Sequence, residues 1–226
     1  MSKITDIQIQ KKKTDRVNIY IDDKFAFGLS VALRFENKLE IGQEISVQKA
    51  KEFIEKDQIE RLVNKALRFL SFRPRSEKEL RDYFAYKGRL AEIKGEAEKS
   101  HYNVSIDKVI TKIQKIGQID DKAFALWWVE QRLRFKPRAS SLIKRELLAK
   151  GIGKEIIEEI TKETKESKEA SEENLAIRAA SKKISSYQKL DQEKFRNKMG
   201  QFLARKGFSW EVIKKVVDSL FIKRVK

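Results

Sequence analysis

Apolar and polar residues alternate one by one at the start of the chain, and then the rhythm changes. Ile4-Thr5-Asp6-Ile7-Gln8-Ile9 and Val17-Asn18-Ile19-Tyr20-Ile21 repeat with period two, the pattern of half-buried strands. The basic tip Lys11-Lys12-Lys13-Thr14-Asp15-Arg16 joins them, and Asp22-Asp23 predicts a tight turn into Lys24-Phe25-Ala26-Phe27. A short helix over Leu29–Phe35 and a last short strand at Gly42–Ile45 complete a small β-containing module over residues 1–46. A module of that size is weakly stable alone, so it is expected to pack on the adjoining helices.

From Val47 onward the period is that of a helix. One helix is expected over Val47–Lys56, and a second carries the stripe Ile59, Leu62, Val63, Ala66, Leu67 and Leu70. Phe72-Arg73-Pro74-Arg75 breaks it. Ser76-Glu77-Lys78-Glu79 then has the form of a capping box, the serine accepting from the amide three residues on while Glu79 reaches back. The helix it starts presents Leu80, Tyr83 and Phe84 and is expected to stop at Gly88, since glycine tolerates the left-handed conformation of a helix end. Residues 89–103 form a polar insertion that either extends a helix or loops out. Val104, Ile106, Val109, Ile110, Ile113 and Ile116 make the next stripe, closed by Gly117. Asp120 or Asp121 caps a helix over Phe124–Phe135. Residues 162–173, TKETKESKEASE, are charged and low in complexity, either a linker or an exposed helix. Three further stripes come after it, Leu175–Tyr187, Phe195–Lys206 and Trp210–Ile222.

Aligning the glycines exposes a repeat. The spacing from Pro74 to Gly88 is the same as that from Pro137 to Gly151. Sliding the chain so that Gly88 falls on Gly151 also superposes Leu70 on Leu133, Phe72 on Phe135, Arg75 on Arg138, Leu80 on Ile143, Phe84 on Leu147 and Lys87 on Lys150. A third copy, aligned through Gly207, keeps Lys206-Gly207, Met199 and Leu203 but lacks the proline. The predicted fold is mainly α: tandem three-helix repeats after the β module, at 47–117, 118–161 and 174–226. Small units of this kind bury little alone and must stack, which predicts an elongated body suited to an extended partner.

Charge sharpens this picture. The chain of 226 residues carries a net charge of +17, unevenly spread. Residues 1–57 hold 11 basic and 10 acidic side chains, whereas residues 174–226 hold 14 basic and 4 acidic. Such a field favours polyanions or an acidic protein surface. There is no cysteine, which excludes disulfides and thiolate metal sites and fits a reducing cytoplasm. No apolar run approaches a membrane span of roughly 18 residues, and the N-terminus lacks the apolar core of a signal peptide. The expected product is a cytoplasmic protein without membrane contacts.

Candidate chemistry is sparse. His101 is the only histidine and sits in the polar insertion, so neither a His-based metal site nor a Ser-His-Asp triad can be assembled. Asp120-Asp121 suits a helix N-terminus better than a metal. No phosphate-cradling glycine loop is present. Trp127-Trp128 invites base stacking, but Trp128 shares a helix face with Phe124, Ala125 and Val129, which makes it core, while Trp127 turns toward a unit boundary. No catalytic residue, cofactor or metal is expected.

The basic ends carry more. Arg73, Arg75, Arg132, Arg134, Lys136 and Arg138 surround the two proline breaks, and Lys87, Lys150 and Lys206 recur at helix ends. Dipole compensation at a helix C-terminus accounts for one or two such cations, but not for clusters at equivalent positions of two repeats. With Lys144, Arg145 and Arg205 they are the candidate contacts to a partner or a nucleic acid.

One stretch carries a resemblance. Gly117-x-Ile119-Asp120-Asp121-x-x-Phe124-Ala125-x-x-Trp128-Val129-x-x-Arg132, followed by Lys136-Pro137 and Ile143-x-x-Glu146-Leu147-x-x-Lys150-Gly151-Ile152, resembles the RecX regulatory proteins of bacteria. Ala66-Leu67-x-x-Leu70-x-x-Arg73-x-Arg75-Ser76-x-x-Glu79-Leu80 resembles the first repeat of that family. The strands around Val17–Ile21 and Phe25–Leu29 are similar to the extra module of its longer members. The resemblance spans nearly the whole chain and is most specific through 66–88 and 116–152; the third repeat matches weakly. It implies a non-enzymatic modulator that binds the RecA–DNA filament and suppresses its ATPase, strand exchange and growth, with single- or double-stranded DNA as a further contact; the chain is expected to be a monomer. The alternative reading is a RecA-independent, architectural DNA-binding protein of helix-turn-helix-like units.

Overall fold

The computed structural model describes residues 2–93, 99–165 and 171–225. The centres of the predicted insertion and linker, 94–98 and 166–170, lie outside them, as does the side chain of His101. Among the described residues there are ten α-helices and one small antiparallel sheet, the mainly α architecture expected.

The sheet comprises β1 (Ser2–Ile9), β2 (Arg16–Ile21), β3 (Lys24–Ser30) and the short β4 (Glu44–Ile45), in the order β3-β2-β1-β4. Asp22 and Asp23, both at positive φ (46° and 62°), make the β2–β3 turn, the twist a two-residue hairpin needs. Ser30 caps α1 (Val31–Glu36), accepting from the Leu33 amide. One face of the module closes over Ile4, Val17, Ile19, Phe27, Leu29, Leu33, Leu39 and Ile45, with Phe53 completing the core.

Phe53 belongs to α2 (Val47–Leu70), a single helix of 24 residues where two were expected. Lys56-Asp57-Gln58 is a polar interval in the stripe but contains no breaker, and Asp57 is spoken for. It is 3% exposed, pairs with both Nη atoms of Arg16 (3.0 and 2.7 Å) and accepts from the Ser30 amide at 2.9 Å. Burying a carboxylate requires such partners.

The remaining helices are α3 (Glu77–Ile93), α4 (Lys99–Lys115), α5 (Asp121–Phe135), α6 (Ser140–Ala149), α7 (Lys154–Lys165), α8 (Glu172–Ile184), α9 (Gln192–Ala204) and α10 (Trp210–Val225). Gly88 does not stop α3, which runs on to Ile93, so Lys87 lies mid-helix. The helix formers Arg89-Leu90-Ala91-Glu92 offset the roughly 1 kcal/mol that an internal glycine costs. Gly151 and Gly207, by contrast, do end helices, at φ 82° and 84°. In each case the glycine amide bonds the carbonyl three residues back (Leu148, Ala204), and the next amide, Ile152 or Phe208, reaches Leu147 or Leu203. That is a Schellman turn.

By compactness the chain divides into Met1–Phe72 with Arg81–Gln118, and Arg73–Leu80 with Ile119–Lys226. In the second unit α5, α6 and α7 close over Phe124, Ala125, Val129, Ile143, Leu147, Ile152, Ile157 and Ile160. Helices α8, α9 and α10 close over Leu175, Ala179, Phe195, Met199, Leu203 and Val216, with Ala139 and Phe208.

Candidate functional site

The first proline break lies at the start of the second unit. There the Arg73 guanidinium grips Glu79 with both Nη atoms, at 2.9 and 3.0 Å, and the Lys150 ammonium bonds the same carboxylate. Burial opposes ionisation of Glu79, but the hydrogen bonds and charges of Arg73 and Lys150 outweigh it and hold its pKa at about 2. Ser76, fully buried, accepts from the Glu79 amide at 3.2 Å and donates to the Lys150 carbonyl at 2.7 Å. So the serine half of the capping box stands, while Glu79 turns to two cations instead of reaching back. Asp121 accepts from the Glu77 amide at 2.9 Å, and burial raises its pKa. Asp120 caps α5 through the Lys122 and Ala123 amides. Both aspartates serve helix starts, each a different helix.

Gly151 lies against this turn: a Cβ there would stand 2.6 Å from the Lys78 Cβ. The Lys150-Gly151 corner of α6 is therefore keyed to the first turn of α3.

At the second break Glu146 is the organising acid. It accepts from Trp128 Nε1 at 2.9 Å and Arg132 Nε at 2.7 Å, and pairs with Arg138. Arg132 and Lys150 lie over the Trp128 ring at 4.2 and 4.4 Å from its centroid. Trp128 is accordingly half-buried rather than core, because its N–H needs a polar partner and its face takes cations. With its ring covered by these two, it is no base platform. Trp127 is also half-buried, packed on the same cluster, with Arg73 6.0 Å above its ring.

Beyond Glu146 the cations dominate. The Ala139 amide donates to the Lys206 carbonyl at 3.0 Å, which fixes the Lys206-Gly207 corner of α9 to the start of α6. A Cβ on Gly207 would stand 2.9 Å from the Leu142 Cβ. Burial lowers the pKa of Lys206 first, and then Arg138, Lys182, Arg132 and Lys136 lower it further; the charges that shift it are all positive. From α8, Arg178 donates to the Arg134 carbonyl at 3.2 Å and Lys182 to the Phe135 carbonyl at 2.7 Å, so the last carbonyls of α5 are capped by cations.

The twelve candidate residues thus separate. Arg73 and Lys150 are held by Glu79, and Arg132 and Arg138 by Glu146; these four brace the fold. Arg75 is half-buried, its pKa lowered by burial and by Arg73. Lys87 is exposed on α3, 5.7 Å above the Tyr83 ring. Arg134, Lys136, Arg145 and Arg205 are exposed, and Lys144 half-buried. The structure brings Lys136 and Lys206 together with Arg132 and Arg138. It adds Arg178 and Lys182, which sequence reading missed; their four-residue spacing on α8 was the available signal.

Among the described residues no group of three or more His, Cys, Asp or Glu could hold a metal. No described helix is long and apolar enough to cross a membrane.

The fold and this surface define a class: a chain of three-helix domains behind a β module, with charged corners where successive repeats of the second unit are joined. Residues 2–46 match the regulatory protein RecX N-terminal domain, and 63–92, 120–160 and 171–217 match the first, second and third three-helix domains of RecX. The chain belongs to the RecX regulatory protein family. It is 33% identical over 222 residues to the regulatory protein RecX of Clostridium tetani, covering 97% of this chain and 95% of that one. It is 29% identical over 219 residues to that of Clostridium botulinum strain Eklund 17B, covering 96% and 95%. A crystal structure of regulatory protein RecX superposes with a TM-score of 0.64 at 25% identity, covering 96% of this chain and all of the other.

Proposed function

We propose that this protein binds the RecA–DNA filament without covalent chemistry and restrains its ATPase, strand exchange and growth. The observation that carries the reading, beside family membership, is the cationic corner around Lys206. A half-buried lysine that lies over the Phe202 ring and feels the charges of Arg138, Lys182, Arg132 and Lys136 becomes favourable when a polyanionic partner supplies the missing counter-charge. Exposed Arg134, Lys136, Arg145, Arg178, Lys182 and Arg205 flank or extend that surface, and with Arg138, whose Nε has no hydrogen-bond partner among the described residues, they replace Arg73, Arg132 and Lys150 as the candidate contacts. The protein would act as a monomer. Its relatives are named regulatory proteins, which supports action by binding rather than by catalysis.

The test is RecA's single-stranded-DNA-stimulated ATPase, titrated with purified protein. The expected result is progressive loss of turnover at or below one protein per RecA; unchanged turnover across that range refutes the reading. Tight DNA binding without any effect on RecA would instead identify an architectural DNA-binding protein.

A further inference from the structure

The two lysine–glycine corners within the second compact unit are built alike. Aligning Gly88 with Gly151 places Ser76 on Ala139 and Glu79 on Leu142, and aligning Gly151 with Gly207 places Lys150 on Lys206. The contacts follow the same correspondence. The Ser76 hydroxyl donates to the Lys150 carbonyl, and the Ala139 amide to the Lys206 carbonyl. Gly151 meets Lys78 in the first turn of α3, and Gly207 meets Leu142 in the first turn of α6.

The charges differ. At the first corner the lysine faces Glu79, which also holds Arg73. At the second the equivalent of Glu79 is Leu142; the Lys206 ammonium lies 5.2 Å over the Phe202 ring, and the charges that act on it are those of other cations. Two further groups there lack an acceptor or a ligand. Ala139, at the N-cap of α6, offers no side chain to the helix start, whereas Ser76 caps α3. Arg138 Nε is buried without a hydrogen-bond partner among the described residues, although the guanidinium's Nη1 pairs with Glu146.

We infer that the second corner is a phosphate-binding site, built from Lys206, Arg138, Lys136 and Lys182 at the start of α6, which takes a nucleic-acid backbone phosphate where the first corner holds its own carboxylate. The imbalance decides the class of ligand. The Lys206 carbonyl accepts from the Ala139 amide and the Lys182 ammonium donates to the Phe135 carbonyl, so both residues border the run Lys136-Pro137-Arg138, with Glu146 as the carboxylate that pairs Arg132 and Arg138. One carboxylate from a partner protein would leave most of that excess in place. A strand of successive phosphates offsets several cations at once and gains the release of its counterions. The Ser140 and Ser141 amides, which no side chain caps, add favourable dipoles for an anion, while the Leu142 amide already bonds the Ala139 carbonyl. The choice of nucleic acid as carrier rests on the filament reading; the site itself does not.

The test uses the full chain without any recombinase. Binding of a fluorescently labelled single-stranded oligonucleotide is followed by anisotropy at several salt concentrations, for wild type, Lys206→Gln, Lys136→Gln and Leu142→Glu. Each glutamine variant should weaken binding and lower the salt slope by about 1. Leu142→Glu, which reinstates the acid of the first corner, should weaken binding about tenfold or more while its thermal unfolding remains cooperative. Inorganic phosphate should shift the amide resonances of Ser140, Ser141 and Leu142 in wild type and not in Leu142→Glu. If Leu142→Glu does not fold, the two glutamine variants decide. Unchanged DNA affinity and salt slope in both overturn the proposal. Phosphate-induced shifts with unchanged DNA affinity also overturn it, leaving a site for free anions or a protein carboxylate. Running the variants in the RecA ATPase assay separates the two readings. Lost DNA binding with retained inhibition supports this site apart from the filament role, and absent inhibition by wild type refutes only the latter.

Discussion

The corners at Lys150-Gly151 and Lys206-Gly207 share a backbone and differ in electrostatics. Both use a left-handed glycine pressed against a neighbouring helix start, and both tie the lysine carbonyl to that start with one hydrogen bond. At the first the lysine has its own counter-ion, Glu79, whereas at the second the acid, Glu146, pairs Arg132 and Arg138. The comparison teaches that geometry joins the repeats, while ion pairing is an addition that one corner has and the other lacks. A charge at such a joint is therefore either a brace or an invitation, and the residue at the position of Glu79 decides which.

The backbone half of the comparison breaks with the largest effect. Gly151→Ala and Gly207→Ala should each destabilise the protein by about 3 kcal/mol in urea unfolding, since both force a Cβ into a left-handed residue and against a neighbour. A loss at one position only would mean that the corners are not equivalent. The ionic half comes next. Glu79→Ala leaves Arg73 and Lys150 without their acceptor and should cost about 2 kcal/mol, less than for a wholly buried pair because the three side chains retain 15–32% exposure.

A smaller and more pointed contrast comes from the lysines. Lys150→Met should lose about 1 kcal/mol, whereas Lys206→Met, which relieves like-charge crowding, should be neutral or gain up to about 1 kcal/mol. Losses of equal size would refute the electrostatic distinction. Acid acts on the ion pair of Glu79 itself. Since the folded pKa of Glu79 lies at about 2 against an ordinary 4.5, its contribution is complete above pH 4.5 and fades as the pH falls toward 2. The stability difference between wild type and Glu79→Gln should shrink over that window.

Much of this was legible in the sequence, for identifiable reasons. Period-two alternation located β1 and β2, helical stripes located α5, α8, α9 and α10, and the shared proline-to-glycine spacing exposed the equivalence of the two proline breaks. The failures are equally specific. Gly88 matches Gly151 in composition, but the residue after it is Arg89, where Ile152 and Phe208 follow the true stops and are buried at 2% and 5% exposure. At those two corners a buried apolar residue accompanies the turn, although α4 ends in the same pair of bonds at Gly117 with Gln118 after it. The acids that neutralise the arginines could not be found by local spacing. Arg73 meets Glu79 across a proline and Arg138 meets Glu146 across the start of α6, and the two acids occupy non-equivalent places in the repeat. Lys150 meets Glu79 across 71 residues, which only the folded chain can show.

The unbroken α2 has a consequence of its own. Its N-terminal half carries Phe53 into the core of the β module, and Asp57 near its middle locks that module through Arg16. Its C-terminal half presents Leu62, Val63 and Ala66, buried alongside α4. The two ends are thus in fixed rotational phase, like two gears on one shaft. Each residue inserted between Asp57 and Leu62 would turn the β module by about 100° about the shaft and shift it about 1.5 Å along it. An insertion of about seven residues, close to two whole turns, would bring the module back near its original bearing. Within this family, length variation in α2 is therefore expected to come in helical turns rather than in single residues.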